Sequence, residues 1–139
     1  MAASSTMCSG NWRHRLVWSA LVALALAACG APVDPAKVQA VEAVQLSRQL
    51  EQENIRLIDV RTDEEVVEGM IPGAEHIPLD RFDPARLDLS DGRAVVFYCH
   101  SGRRSARAAE RLSNYTGKKE RHLEGGIEAW QAAGLPVTR

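Results

Sequence analysis

The chain has 139 residues, and its 17 lysines and arginines against 18 aspartates and glutamates give a formal net charge of −1. This length predicts a single domain, and the 45% hydrophobic and 25% charged fractions are those of an ordinary soluble protein. Because no basic face dominates, nucleic acid is not an expected partner. The spacing of His, Cys and carboxylate residues matches no metal site, and no nucleotide-binding glycine pattern occurs, so we expect neither a metal nor a cofactor.

The N-terminal segment differs from the rest of the chain. Arg13 and Arg15 precede an almost wholly apolar run over residues 16–28, and no acidic residue comes before it. The run has 13 residues, whereas a membrane-spanning helix needs about 20. A basic start, a short apolar stretch and small residues at its end predict a secretory signal peptide. A short uncleaved anchor or a buried helix is the alternative.

The end of this run, Leu-Ala-Ala-Cys at residues 26–29, resembles a bacterial lipobox, in which cleavage precedes the cysteine and the cysteine carries the lipid. This predicts a cleaved signal peptide over residues 1–28, a lipidated Cys29 with a short tether over 29–35, and a folded domain over 36–139. We therefore expect a protein of the bacterial cell envelope that faces the periplasm and is held at a membrane by its lipid. Gly30 is compatible with sorting to the outer membrane.

The remaining chain alternates predicted helices with predicted strands. The pattern predicts a helix over residues 36–52, a buried strand over 55–60, a short helix ending near 69, a strand over 74–79, a loop or single turn over 83–87, a strand over 94–98, a helix over 101–114, a strand over 121–123 and a helix over 127–133. Thr62 and Glu65 form the capping box of the short helix. The strand over 94–98 is apolar on both faces, as a central parallel strand is. The expected fold is an α/β domain with a mainly parallel sheet and helices on both faces.

A cysteine follows the predicted central strand directly. The run is Cys99, His100, Ser101, Gly102, Arg103 and Arg104, with a helix predicted after it. Ligands bind at the carboxyl ends of the strands in open α/β sheets, and the first amides of a helix have no partner within it and favour a bound anion or a thiolate. Gly102 lets the loop curl so that its amides converge, and Arg104 can fix the loop or pair with an oxyanion. The alternative is that Cys99 is a small buried hydrophobe.

Processing at Cys29 would leave Cys99 as the one thiol of the mature chain. Cys8 would leave with the signal peptide, and the sulfur of Cys29 would become a thioether. A lone thiol in an oxidising compartment is a candidate reactive group.

Three segments, Ile58 to Ala74, Cys99 to Arg104 and Leu123 to Trp130, resemble the signatures of the rhodanese family in order and with family-like spacing. The resemblance implies a single rhodanese-like domain and a sulfurtransferase. The Cys99 thiolate would take the outer sulfur of thiosulfate or a similar small anion as a persulfide, and cyanide or another thiol would then accept it. Asp59 and Arg61 would face the active site by the same resemblance, although an ion pair that holds loops together explains them as well.

Two other functions stay open at this point. One is a persulfide carrier that hands sulfur to a protein partner without turning over alone. The other is a phosphatase or arsenate reductase. Those related enzymes use an active-site loop one residue longer than the six residues from Cys99 to Arg104, so sulfur transfer is favoured.

Overall fold

The computed structural model describes residues 32–139, which form one compact unit, Pro32–Arg139. Its strands are β1 (Val38–Val41), β2 (Ile55–Asp59), β3 (Glu75–His76), β4 (Ala94–Tyr98) and β5 (Glu120–Leu123). Its α-helices are α1 (Ala43–Gln52), α2 (Asp63–Val66), α3 (Arg103–Thr116) and α4 (Gly126–Ala132), with a 3₁₀ turn over Pro84–Arg86. Among residues 32–139, no helix is both long and apolar enough to cross a membrane.

The five strands form one parallel sheet in the order β1-β5-β4-β2-β3. β4 is the central strand, which confirms the prediction made from its apolar sequence. Because all strands run in the same direction, their carboxyl ends share one edge of the sheet. The segments that follow β2, β4 and β5 therefore meet at this edge.

Helices cover both faces of the sheet, as expected. Alternate residues of β4 point to opposite faces: Val95 and Phe97 pack with α3, whereas Val96 and Tyr98 pack with α1 and α4. On one side of the sheet, α3 contributes Ala108, Ala109 and Leu112 to the core. On the other side, α1 and α4 contribute Leu46, Ile127 and Trp130. Cys99 belongs to the cluster on the α3 side.

The prediction of one helix over residues 36–52 is wrong in its first half. Residues 38–41 form β1, and only Ala43–Gln52 is helical. Val38 is buried in the cluster on the α3 side, whereas Val41 is buried on the other face, and a strand allows this division. Pairing with β5 also satisfies the backbone, since the amides of Glu120 and Glu124 donate to the carbonyls of Lys37 and Val41. Tertiary pairing therefore overrides a helix-like spacing of apolar residues.

Two other elements differ from the predicted bounds for local reasons. The strand expected over 74–79 shortens to β3, Glu75–His76, because Pro78 has no N–H to donate to a ladder. Helix α3 begins at Arg103 rather than 101, and this leaves Ser101 and Gly102 in the loop after Cys99. The helix continues to Thr116, where Gly117 ends it with a left-handed backbone (φ 71°).

Candidate active site

Cys99 lies at the carboxyl end of the central strand, on the α3 side of the sheet. It is the free cysteine of the described region, and only 1% of its surface is exposed. The amide of Gly102 donates a hydrogen bond to its sulfur at 3.1 Å. The loop thus folds back over the thiol and places a backbone donor on the sulfur atom.

The carbonyl oxygens of this loop are held by the elements around it. The amides of Ile127 and Glu128, at the start of α4, donate to the carbonyls of Cys99 (2.8 Å) and His100 (3.2 Å). The carbonyl of Gly102 accepts from the amide of Ala106 at 3.1 Å and from the hydroxyl of Ser105 at 3.0 Å. Three carbonyls of the loop, at positions 99, 100 and 102, are therefore engaged by groups other than the thiol.

Most backbone amides of the Cys99 loop donate no hydrogen bond within residues 32–139. Within residues 32–139, the amides of His100, Ser101, Arg103, Arg104 and Ser105 have no hydrogen-bond acceptor. Three of them, at positions 103–105, are the first amides of α3, where the helix dipole is positive. A short loop with many donors and few available acceptors is the environment in which proteins bind anions and stabilise thiolates.

Two glycines allow this loop to approach the start of α4. Gly102 adopts φ +91°, and a Cβ there would lie 3.1 Å from the amide nitrogen of Gly125. Gly126 adopts φ +61°, and a Cβ there would overlap the carbonyl oxygens of Cys99 and His100. The backbone of the Cys99 loop thus packs directly against the Gly125-Gly126 turn.

Arg104 forms a two-point ion pair with Glu65. Its two terminal nitrogens donate to the two carboxylate oxygens of Glu65 at 2.7 and 2.6 Å. This hydrogen bonding is the main reason that the pKa of Arg104 is raised, and the adjacent Cys99 adds to it. The same pair lowers the pKa of Glu65 to about 2. This contact holds the first turn of α3 against α2; the expected pairing of Arg104 with a bound oxyanion stays a prediction.

Glu65 has a role that the sequence did not reveal. It is the residue that completes the capping box of α2, since its carboxylate accepts from the amide of Thr62 at 3.0 Å. The capping motif was predicted, but the pairing of Glu65 with Arg104 was not, because the two residues lie far apart in the chain. The carboxylate therefore joins the N-terminus of α2 to the first turn of α3.

Asp59 and Arg61 form a buried ion pair next to the site, with 2.7 Å between Arg61 Nη2 and Asp59 Oδ2. Arg61 also donates to the carbonyl of Gly69 at 2.6 Å, and Tyr98 accepts from the amide of Ile71 at 3.1 Å. Burial, and then the neighbouring Asp59, raise the pKa of Tyr98. This network ties the segment around residues 69–71 to the sheet, which matches the loop-holding role. Tyr98 was missed because its sequence position reads only as a buried strand residue.

The other loop residues face solvent. His100 is 53% exposed, and its Nε2 lies 3.1 Å from Oε1 of Glu128, which is 56% exposed. Ser101 and Arg103 are also exposed. Among residues 32–139, no cluster of three or more His, Cys, Asp or Glu side chains could hold a metal ion. Cys29, the expected lipidation site, lies outside the described residues.

Gly126→Ala will displace the Cys99 loop. The added Cβ meets the backbone oxygens of Cys99 and His100, which have no flexible side chain to move aside. We expect a loss of about 3 kcal/mol or more in the free energy of unfolding, measured in urea, because steric overlap adds to the strain of a positive φ. The matched control is Gly117→Ala, which has a similar positive φ (71°) and no heavy atom within 4 Å of the new Cβ. Equal losses for the two variants would contradict this close approach.

Glu65→Gln will remove a pH-dependent part of the stability. The pKa of Glu65 is lowered from 4.5 to about 2 in the folded protein, so its contribution is present above pH 4.5 and is lost as the pH falls toward 2. Because the side chain is 28% exposed, we expect about 1–2 kcal/mol at neutral pH. Urea unfolding at several pH values measures this effect. Glu64→Gln, at an exposed carboxylate without an ion pair among residues 32–139, is the control. An acid dependence as steep in Glu65→Gln as in the wild type would refute the assignment, because the remaining carboxylates with lowered pKa values, such as Glu75, contribute equally to both proteins.

Comparison with known proteins places this fold and loop in a family. Residues 42–133 match the family described as Rhodanese-like domain. A sulfurtransferase of Allochromatium vinosum is 36% identical over 101 residues, which cover 72% of this chain and 94% of that protein. An uncharacterized protein of Synechocystis, slr1261, is 38% identical over 89 residues, which cover 64% of this chain but only 50% of that protein.

The solved structures agree with the sequence comparison. The crystal structure of a rhodanese-related protein from Thermoplasma volcanium matches with a TM-score of 0.63 and 29% identity, covering 72% of this chain and 97% of that one. The family match spans more than half of the chain, and it includes the central strand, the Cys99 loop and the Gly125-Gly126 turn. The chain therefore belongs to the rhodanese-like domain family.

Proposed function

We propose that the protein is a sulfurtransferase that carries a sulfane sulfur on Cys99, with thiosulfate or a similar small anion as the donor. The observation that carries this proposal is the loop itself. Its carbonyls at positions 99, 100 and 102 accept hydrogen bonds from α4, Ala106 and Ser105, and the Gly102 amide donates to the sulfur, while the other loop amides have no acceptor within residues 32–139. Membership of a family with a named sulfurtransferase among its members supports the same chemistry.

In the first half-reaction, the Cys99 thiolate attacks the outer sulfur of thiosulfate. A new S–S bond forms, the S–S bond of thiosulfate breaks, and sulfite leaves with the bonding electron pair. In the second half-reaction, cyanide or a thiolate attacks the outer sulfur of the persulfide, and the Cys99 thiolate is the leaving group. Two separate steps through one enzyme intermediate predict ping-pong kinetics. The loop amides stabilise the negative charge on sulfur and on the departing sulfite.

The burial of Cys99 favours a second candidate function, a persulfide carrier. A sulfur atom on a residue that is 1% exposed is shielded from stray thiols in solution. Such a protein would hold the persulfide for a specific partner and would turn over slowly with small acceptors. The two functions share the first half-reaction and differ in the second.

Cys99→Ser will abolish sulfur transfer, because a hydroxyl is not ionised near neutral pH and cannot form the persulfide. The assay measures sulfite and thiocyanate from thiosulfate and cyanide with the full chain, and mass spectrometry locates the sulfur gained. We expect at least a 10³-fold loss of activity and no added sulfur at position 99. Cys8→Ser, which removes a different thiol from the unprocessed full chain used in the assay, is the matched control.

The same assay separates the alternatives. Equal activity of wild type and Cys99→Ser would refute the sulfurtransferase proposal. One sulfur gained at Cys99 with almost no thiocyanate formed would indicate the carrier. Faster hydrolysis of a phosphate ester, or faster reduction of arsenate, than transfer from thiosulfate would indicate a phosphatase or arsenate reductase instead.

We also propose that the chain is a lipid-anchored protein of the cell envelope, facing the periplasm. The proposal rests on the basic, apolar and small residues of positions 1–28 and on the lipobox-like end at Cys29. A single lipidated cysteine followed by a short tether would hold the domain beside a membrane.

Cys29→Ala will release the protein from membranes or block its processing, because the lipid has no other attachment point in the lipobox. Membrane fractionation and intact mass of the mature protein measure this, and Cys8→Ala is the control that keeps the anchor. A wild-type protein with an unmodified Cys29 thiol, or with residues 1–28 still attached, would refute the proposal.

A further inference from the structure

The exposed face of α3 carries a row of arginines that the reaction at Cys99 does not use. Arg103, Arg107 and Arg111 occur at intervals of four residues, and all three are exposed. At a rise of about 1.5 Å per residue, this arginine row extends for about 12 Å from the Cys99 loop along the helix. It begins beside the Cys99 loop, since Arg103 is the first residue of α3 and directly follows Gly102.

These arginines have no acidic partner. Within residues 32–139, no carboxylate lies within ion-pair distance of Arg103, Arg107 or Arg111, and residues 1–31 contain no acidic residue at all. Arg111 donates only to the carbonyl of Leu79, at 3.1 Å. The one acid of α3, Glu110, instead accepts from the amide of Asp34.

Apart from the hydrogen bond of Arg111 to Leu79, the arginine row adds little to the stability of the fold. Like charges at i and i+4 destabilise a helix, and exposed side chains add little to the core. The positive charge is also local, because the whole chain has a net charge of −1. Unneutralised cations that lead to a nucleophile raise the rate at which a negatively charged partner reaches it.

We propose that the arginine row is the docking surface for an acidic protein that accepts sulfur from Cys99 through a cysteine of its own. Because the arginine row is positively charged, its partner is negatively charged. Binding along the row brings the cysteine thiol of that partner to the Cys99 loop. The step is the second half-reaction given above: the partner's thiolate takes the outer sulfur, and Cys99 leaves as the thiolate. The inference rests on the proposed function, of which it names the acceptor.

The test uses persulfide-loaded full-length protein and three synthetic acceptor peptides, each with one cysteine and otherwise rich in glutamate, glutamine or lysine. We expect the glutamate peptide to have a kcat/KM about 10-fold above that of the glutamine peptide at low salt. We expect the preference for the glutamate peptide to decrease with added salt, because the Debye screening length falls from about 30 Å at an ionic strength of 0.01 M to about 8 Å at 0.15 M.

Arg107→Glu/Arg111→Glu is expected to remove this preference and to favour the lysine peptide, while transfer to the neutral thiol 2-mercaptoethanol stays within about twofold. Arg107→Gln/Arg111→Gln, which removes charge without reversing it, is expected to reduce the preference to about twofold or less. The matched control is Arg48→Glu, an exposed arginine of α1 on the opposite face of the sheet, which keeps the preference for glutamate.

Each other outcome has a defined meaning. No preference in the wild type, or the same preference in Arg107→Glu/Arg111→Glu, overturns the docking surface. Binding to vesicles of anionic phospholipid that depends on the arginine row, without any peptide preference, also overturns it, in favour of a membrane contact. Failure of the wild type to transfer sulfur to any acceptor, 2-mercaptoethanol included, is a failure of the proposed function and not of the docking surface alone.

Discussion

The site depends on two hydrogen bonds that the start of α4 donates to the Cys99 loop. The amides of Ile127 and Glu128 would otherwise lack partners, as the first amides of any helix do, and they take the carbonyls of Cys99 and His100. A peptide unit carries its donor and acceptor on opposite sides, so holding the carbonyls on one side leaves the amides available on the other. One helix terminus thus orders the loop, and a second, that of α3, contributes amides to it.

The same edge of the sheet is reinforced by charge. Glu65 joins the N-terminus of α2 to Arg104 in the first turn of α3, and Arg61 joins Asp59 to the carbonyl of Gly69. The second pair is almost fully buried, at 3% and 0% exposed side chain, where removal of one partner leaves an uncompensated charge. These contacts hold the segments after β2 against the loop after β4, so the surroundings of Cys99 are fixed from both sides.

Much of this architecture could be predicted from local sequence. The apolar run of β4 and the glycine pair at 125–126 each give a physical reason for one conformation, and so does the capping box of Thr62 and Glu65. What could not be predicted depends on partners far away in the chain. Residues 38–41 are a strand only because β5 lies beside them, and Glu65 meets Arg104 only once β2 and β4 are paired. Tyr98 likewise shows its polar role only when Asp59 and Ile71 are placed around its hydroxyl.

The order of the loop does not depend on the sulfur atom. The contacts that shape it run from backbone to backbone, through Ile127, Glu128 and Ala106, or from Ser105 to the carbonyl of Gly102. The thiol receives the Gly102 amide without being needed to hold the carbonyls in place. Fold and chemistry are therefore separable at this site: the side chain at position 99 supplies the sulfur atom, while the glycine turn before α4 allows the loop to approach α4 and take its backbone hydrogen bonds.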